Sequence, residues 1–185
     1  TTFDTMKHFI TNLALLSLFM SCSCGERWQS VHPEGMEYDT EKYIELFNGY
    51  CRSGAYDSLS MKAREVFSAR EKYYDDKKLA FVAGLMVTHA SIFLDDYPEA
   101  RRYIDTLSKM DEWEKYPNLQ AMMNGVKASY DIKAGFDYPS ALIHLTEALN
   151  YYRQNGDALN TCTALCNISM IYFIRRDTTG CRYAR

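Results

Sequence analysis

The chain has 185 residues, enough for one ordinary domain or a short repeat array. At 47% hydrophobic and 24% charged it has the apolar content to bury a core, which argues against disorder over most of its length. A net charge of −3 argues against the one-sided basic surface that nucleic-acid phosphates require, so no nucleic-acid partner is expected.

In chain order, Met6-Lys7-His8 opens a short positive region after residues 1–5, with Met6 the expected initiator. The largely apolar stretch 9–20 that follows is too short to span a bilayer comfortably and has the layout of a secretory signal. Leu18-Phe19-Met20-Ser21-Cys22 resembles a bacterial lipoprotein box, with Cys22 the lipidated residue and Cys24 the alternative. That resemblance implies export to the periplasmic side of a bacterial membrane and attachment by a lipid anchor, or by the uncleaved signal itself. Residues 1–22 are therefore the expected leader. Residues 23–38, with Gly25, Pro33, Gly35 and no helical period, are the expected tether.

From residue 39 the chain repeats itself. A turn recurs at Gly54-Ala55-Tyr56, Asp95-Asp96-Tyr97, Phe136-Asp137-Tyr138 and, more weakly, Arg176-Asp177-Thr178. The steps from Tyr56 to Tyr97 to Tyr138 to Thr178 are 41, 41 and 40 residues. Three places after each anchor stand Leu59, Ala100, Ala141 and Cys181, and four further on Ala63, Ile104 and Leu145. A fixed period in this range is the mark of a stacked repeat array. The units are expected at 39–75, 76–116, 117–156 and 157–185, the last incomplete.

Each unit divides into two helices about its turn. Tyr43, Leu46, Phe47 and Tyr50 form one helical stripe, which Gly54 closes with left-handed backbone angles. Leu59, Ala63, Val66 and Phe67 form the next, with Asp57 a suitable N-cap. Leu79, Phe81, Val82, Leu85, Met86, Ile92 and Phe93 precede the second turn, and Ala100, Ile104 and Leu107 follow it. Leu142, Leu145, Ala148, Leu149 and Tyr152 make the third second-helix, which ends at Asn155-Gly156-Asp157. A last first-helix is expected over 158–175. Its unpaired apolar stripe predicts either that the array continues or that this helix packs on a partner.

Of six cysteines, Cys22 and Cys24 belong to the leader and Cys51 stands alone at a helix end. Cys162 and Cys166, one turn apart on one face, read as small buried apolar residues, with a redox pair the alternative, and no His or acidic cluster supplies further metal ligands. No metal or other cofactor is expected.

Asn167-Ile168-Ser169-Met170-Ile171-Tyr172 with Asp177, and Asp137-Tyr138-Pro139-Ser140-Ala141 with Leu145 and Ala148, resemble the tetratricopeptide repeat family over residues 39–185. The period of 41 is longer than that family's usual 34, and the fourth unit lacks the turn tyrosine. The resemblance implies an all-α, right-handed solenoid of helix-turn-helix units. Tyr56, Leu59, Tyr97, Ala100, Ile104, Tyr138, Ala141 and Leu145 are then its packing positions. It also implies that each first helix lines a concave face, which places Asn48, Arg52, His89, Tyr130, Lys133 and Met170 there as candidates for binding a protein or peptide. With a lipobox-like leader, the array looks like the exported input region of Bacteroidetes regulators and sensor histidine kinases.

No Gly-rich phosphate loop, Gly-x-Ser-x-Gly elbow or His-Glu-x-x-His is present. His144, with Glu147 one turn on, is the nearest thing to an acid–base pair, and nothing orients a nucleophile beside it. The expectation is a non-catalytic interaction module serving signal transduction. The competing class is a nutrient-binding surface lipoprotein similar to helical starch-utilisation binders. The sugar-stacking tryptophans of such proteins have little counterpart here, where only Trp28 and Trp113 occur.

Overall fold

The computed structural model of the chain describes residues 29–31, 37–69, 77–110 and 113–175. The leader with Cys22 and Cys24, much of the tether, and the fourth turn with Thr178 and Cys181 lie outside them. Where the tether was expected, β1 (Gln29–Val31) and β2 (Glu37–Asp39) pair antiparallel, with Gln29 opposite Asp39 and Val31 opposite Glu37. Strands of three residues are too short for a two-residue alternation to stand out in sequence.

Beyond this ribbon the described chain is all helical. The elements are α1 (Thr40–Ser53), α2 (Tyr56–Ala69), α3 (Lys77–Phe93) and α4 (Tyr97–Leu107), then a 3₁₀ turn (Trp113–Lys115) and α5 (Pro117–Tyr130). A π-helical turn (Asp131–Gly135) extends α5, and α6 (Tyr138–Gln154) and α7 (Ala158–Ile174) complete the series.

The turns explain why the helices stop where they do. Gly54, Asp95 and Phe136 adopt left-handed angles, with φ of 69°, 60° and 50°. They stand 41 residues apart, two before each turn tyrosine. The next amide bonds back into the helix just ended: Ala55 N–H donates to Tyr50 O at 3.0 Å, and Asp96 N–H to Ser91 O at 2.8 Å. These bonds occupy carbonyls that the helix end would otherwise leave unpaired. In the third turn Asp137 N–H reaches one residue further, to Asp131 O at 2.9 Å, because the π turn winds in an extra residue. Asp96 and Asp137 then cap the following helices, accepting from the amides of Glu99 and Ser140, with Pro98 and Pro139 in the first turn.

The chain divides into two compact units, within Cys22–Leu119 and Gln120–Arg185. In the first, α3 is the centre: every residue of 79–92 is buried, α2 and α4 both pack on it, and α1 packs on α2. A Cβ on Gly84 would lie 2.7 Å from Leu107 Cδ2 and 2.9 Å from Phe67 Cε2, so glycine sets how closely α2 and α4 approach α3. In the second, α6 packs on α7 around Ala141, Leu145, Leu149, Ala164, Ile168 and Ile171, joined by Ala128 and Ile132 from the end of α5 and its π turn.

Candidate functional site

The residues expected on a binding face separate by burial. Asn48 is half-buried and Arg52 exposed, one turn apart near the C-terminal end of α1, where a cation is also favoured by the helix dipole. Tyr130 and Lys133 are half-buried at the junction of α5 and the π turn. His89 is fully buried, and Met170 lies in the core beside Ile168 and Ile171. These two positions correct the expectation: neither side chain reaches an open surface. The cause is the enclosure of α3, where the His89 ring lies 4.7 Å from Phe93 and 5.9 Å from Tyr56, centroid to centroid. For Met170 it is the packing of α7 against α6.

The packing positions Leu59, Ala100, Ile104, Ala141 and Leu145 are buried, whereas the three turn tyrosines do different work. Tyr56 stacks on Phe93. Tyr97 donates its hydroxyl proton to Asp95 Oδ1 at 2.6 Å, bracing the left-handed residue two places before it. Tyr138 packs half-buried against the core of the second unit.

Cys51 adjoins the buried aromatic cluster. Burial pushes its thiol up to about 12, against a smaller opposing pull from Arg52. Burial likewise pushes the Tyr56 phenol up to about 12, with a further rise from negative charge on Cys51. Both groups are held neutral at ordinary pH, which is the reverse of what an activated nucleophile requires. This cluster is packing.

His144 is engaged differently from its sequence neighbourhood. Its Nδ1 lies 2.9 Å from Asp131 Oδ2, while Glu147 accepts from Asn124 Nδ2 at 3.0 Å. Two polar ties thus bind α6 to α5 and its π turn. Among the described residues no hydrogen bond joins His144 to a hydroxyl or thiol. In the first unit, Glu99 of α4 takes the Arg64 guanidinium of α2 in a two-pronged bond and also accepts from Arg102 at 2.6 Å. Among the described residues no group of three or more His, Cys, Asp or Glu is placed to hold a metal ion, and no helix is long and apolar enough to cross a membrane.

A second feature repeats with the same period. Gly84 and Gly125 stand 41 residues apart, each followed four places on by a hydroxyl residue. Thr88 donates to Gly84 O at 2.8 Å and Ser129 to Gly125 O at 2.9 Å. By contrast, the Arg64–Glu99 and Asp131–His144 pairs have no periodic signature that a sequence could announce. Cys162 and Cys166 were expected inside and are both exposed.

Comparison with protein-family models, curated proteins and solved structures finds no match for this chain.

Proposed function

We propose that the chain is a non-catalytic interaction module: an exported, lipid-anchored array of tetratricopeptide-like helix-turn-helix units that takes a protein or peptide segment on the input side of a bacterial signalling protein. The observation that carries this is the recurrence of one unit in detail. A left-handed residue stands at 54, 95 and 136, and the same glycine–hydroxyl bond occurs at 84/88 and 125/129. Stacked units of this kind characteristically present extended surfaces that bind rather than react. The neutral state of Cys51 and Tyr56 and the absorption of His144 into a structural pair agree with an unreactive scaffold.

With His89 and Met170 inside, Asn48 and Arg52 in one unit and Tyr130 and Lys133 in the other are the contacts to test, each in its own unit. Arg52 offers a forked donor to carboxylates, and Lys133 a point charge. The test is fluorescence anisotropy against labelled peptides rich in Asp and Glu. Arg52→Glu and Lys133→Glu should each weaken binding by about tenfold, the equivalent of ~1.4 kcal/mol. Binding untouched by either change would refute the assignment of these residues. Turnover of any peptide would refute the non-catalytic reading.

A further inference from the structure

Of the described tyrosine turns, the third departs from the other two, and it hangs on one residue. The Asp131 carbonyl accepts from the amides of both Phe136 and Asp137, which closes the wide π winding. The Asp131 carboxylate also meets His144 Nδ1 of α6 at 2.9 Å. The turns at Gly54 and Asp95 instead close with tighter winding onto Tyr50 and Ser91. π winding is rare, and it tends to occur where a helix serves a function. Here it ends on Phe136, a bulky residue held at φ of 50°, which adds a conformational cost. The side-chain bond across to α6 works against that cost.

Histidine is the side chain whose ordinary titration falls between about pH 5 and 8. Around the His144 ring, Asp131 is in contact and Asp137 stands at the far end of the same turn. Bonds from Ser140 hold the Asp137 carboxyl below its usual range, and His144 adds a smaller pull in the same direction. On α6 itself Glu147 lies one turn on, bonded to Asn124 of α5. The cations nearby are Lys127 of α5 and Lys133 of the π turn, both half-buried. α7, which packs on α6, has no charged residue.

We infer that Asp131 and His144 form a pH-dependent clasp on the π turn. Protonated, His144 holds Asp131 as an ion pair and pins the turn to α6. Neutral, the ring offers a hydrogen bond without its own charge, and the turn loosens. The hold is therefore full below the titration of the ring and is lost as pH rises through it. Tyr130 and Lys133 flank Asp131 in the chain. The clasp thus also sets how firmly these two contacts are presented, a role that rests on the peptide-binding reading proposed above.

Hydrogen exchange of the 185-residue chain, corrected for intrinsic rates, tests the clasp without any ligand. The amides of Phe136 and Asp137 should be about tenfold better protected at roughly pH 5.5 than at roughly pH 8. The amide of Asp157, which closes the next turn of the same unit onto Tyr152, should not change. His144→Gln and Asp131→Asn each keep a polar contact but no ion pair, and each should remove the dependence. Equal protection at the two pH values in the unmodified chain overturns the inference, whether or not either variant folds. So does a dependence that survives both substitutions, or an NMR titration of the His144 ring that runs out of step with the change in protection. Anisotropy with the Asp- and Glu-rich peptides should show tighter binding at the lower pH, a preference lost in His144→Gln. Responsive protection with no peptide bound at either pH supports the clasp and sinks the binding reading. Lys133-dependent binding with protection indifferent to pH does the reverse.

Discussion

The Tyr56 ring lies on Phe93, centroids 4.5 Å apart and planes 14° from parallel, yet its buried hydroxyl oxygen has no hydrogen-bond partner among the described residues. The ring and the hydroxyl therefore make opposite contributions. Tyr56→Ala should cost about 2–4 kcal/mol through lost aromatic packing. Tyr56→Phe should be neutral or slightly stabilising, since it removes an unpaid desolvation. The titration adds a second readout. The Tyr56 phenol is raised from 10.0 to about 12, so the folded state keeps a proton that the unfolded state releases. Stability should fall as pH rises from about 10 through about 12, and Tyr56→Phe should flatten that fall. Urea melts at roughly pH 9 and pH 11 decide it. A Phe variant as damaged as the Ala variant would show that the hydroxyl is satisfied after all.

Gly84 offers a test of close packing. In a helix interior Ala is favoured over Gly by about 1 kcal/mol, so propensity alone predicts that Gly84→Ala stabilises. The new methyl would lie 2.7 Å from Leu107 and 2.9 Å from Phe67, both buried side chains. Overpacking of this kind costs about 1–3 kcal/mol, so the net effect should be a lowered melting temperature. Gly84→Val should be worse. A rise in melting temperature for Gly84→Ala would mean that α2 and α4 can yield.

These two sites show what a sequence can and cannot announce. The register of the turns was legible because left-handed geometry, capping Asp and following Pro all leave marks at fixed offsets, at Asp95-Asp96-Tyr97-Pro98 and Phe136-Asp137-Tyr138-Pro139. The all-helical character and the extent of α7 were legible from periodicity, which lies within a single segment. The burial of His89 is not legible in sequence because it depends on α2, with its Tyr56 ring, packing onto α3, and the exposure of Cys162 and Cys166 is not because nothing in α7 itself says which side is covered. The binding candidates were inferred by phase alone. Phase places a residue on a face but leaves its cover unspecified, and the four candidates that are not buried, Asn48, Arg52, Tyr130 and Lys133, stand toward the C-terminal ends of α1 and of α5 with its π turn.

Phe136 marks a place where the repeat departs from the residue its geometry favours. It is a bulky residue at φ 50° and 69% exposed, in the position that Gly54 occupies in the first turn. The left-handed conformation costs a non-glycine residue roughly 1–2 kcal/mol, and a largely exposed ring recovers little of that by burial. Phe136→Gly should therefore stabilise by about 1 kcal/mol after the extra entropy of unfolded glycine is counted. Phe136→Ala should bring no such gain, because it keeps the Cβ. Equal stability of the Gly and Ala variants would place the value of the site in the ring, as expected of a residue held for contact with a partner.

Glu99 separates the two kinds of ion pair within one cluster. Its side chain is 13% exposed and is gripped by Arg64, from another helix and already bonded to Ser60 Oγ at 3.0 Å, and by Arg102, three residues on. The Arg64 bond is two-pronged and fixed by the packing of separate elements, whereas Arg102 is 67% exposed and free to trade its partner for water. Double-mutant cycles with Glu99→Gln should give a coupling of about 1 kcal/mol or more to Arg64→Met and no more than about 0.5 kcal/mol to Arg102→Met. Raising salt to about 1 M should erase the second coupling while leaving much of the first, because the Debye length shrinks to about 3 Å and screens exposed charges preferentially. Equal couplings, or a first coupling that vanishes with salt, would mean that Arg64 does not tie α2 to α4 in solution.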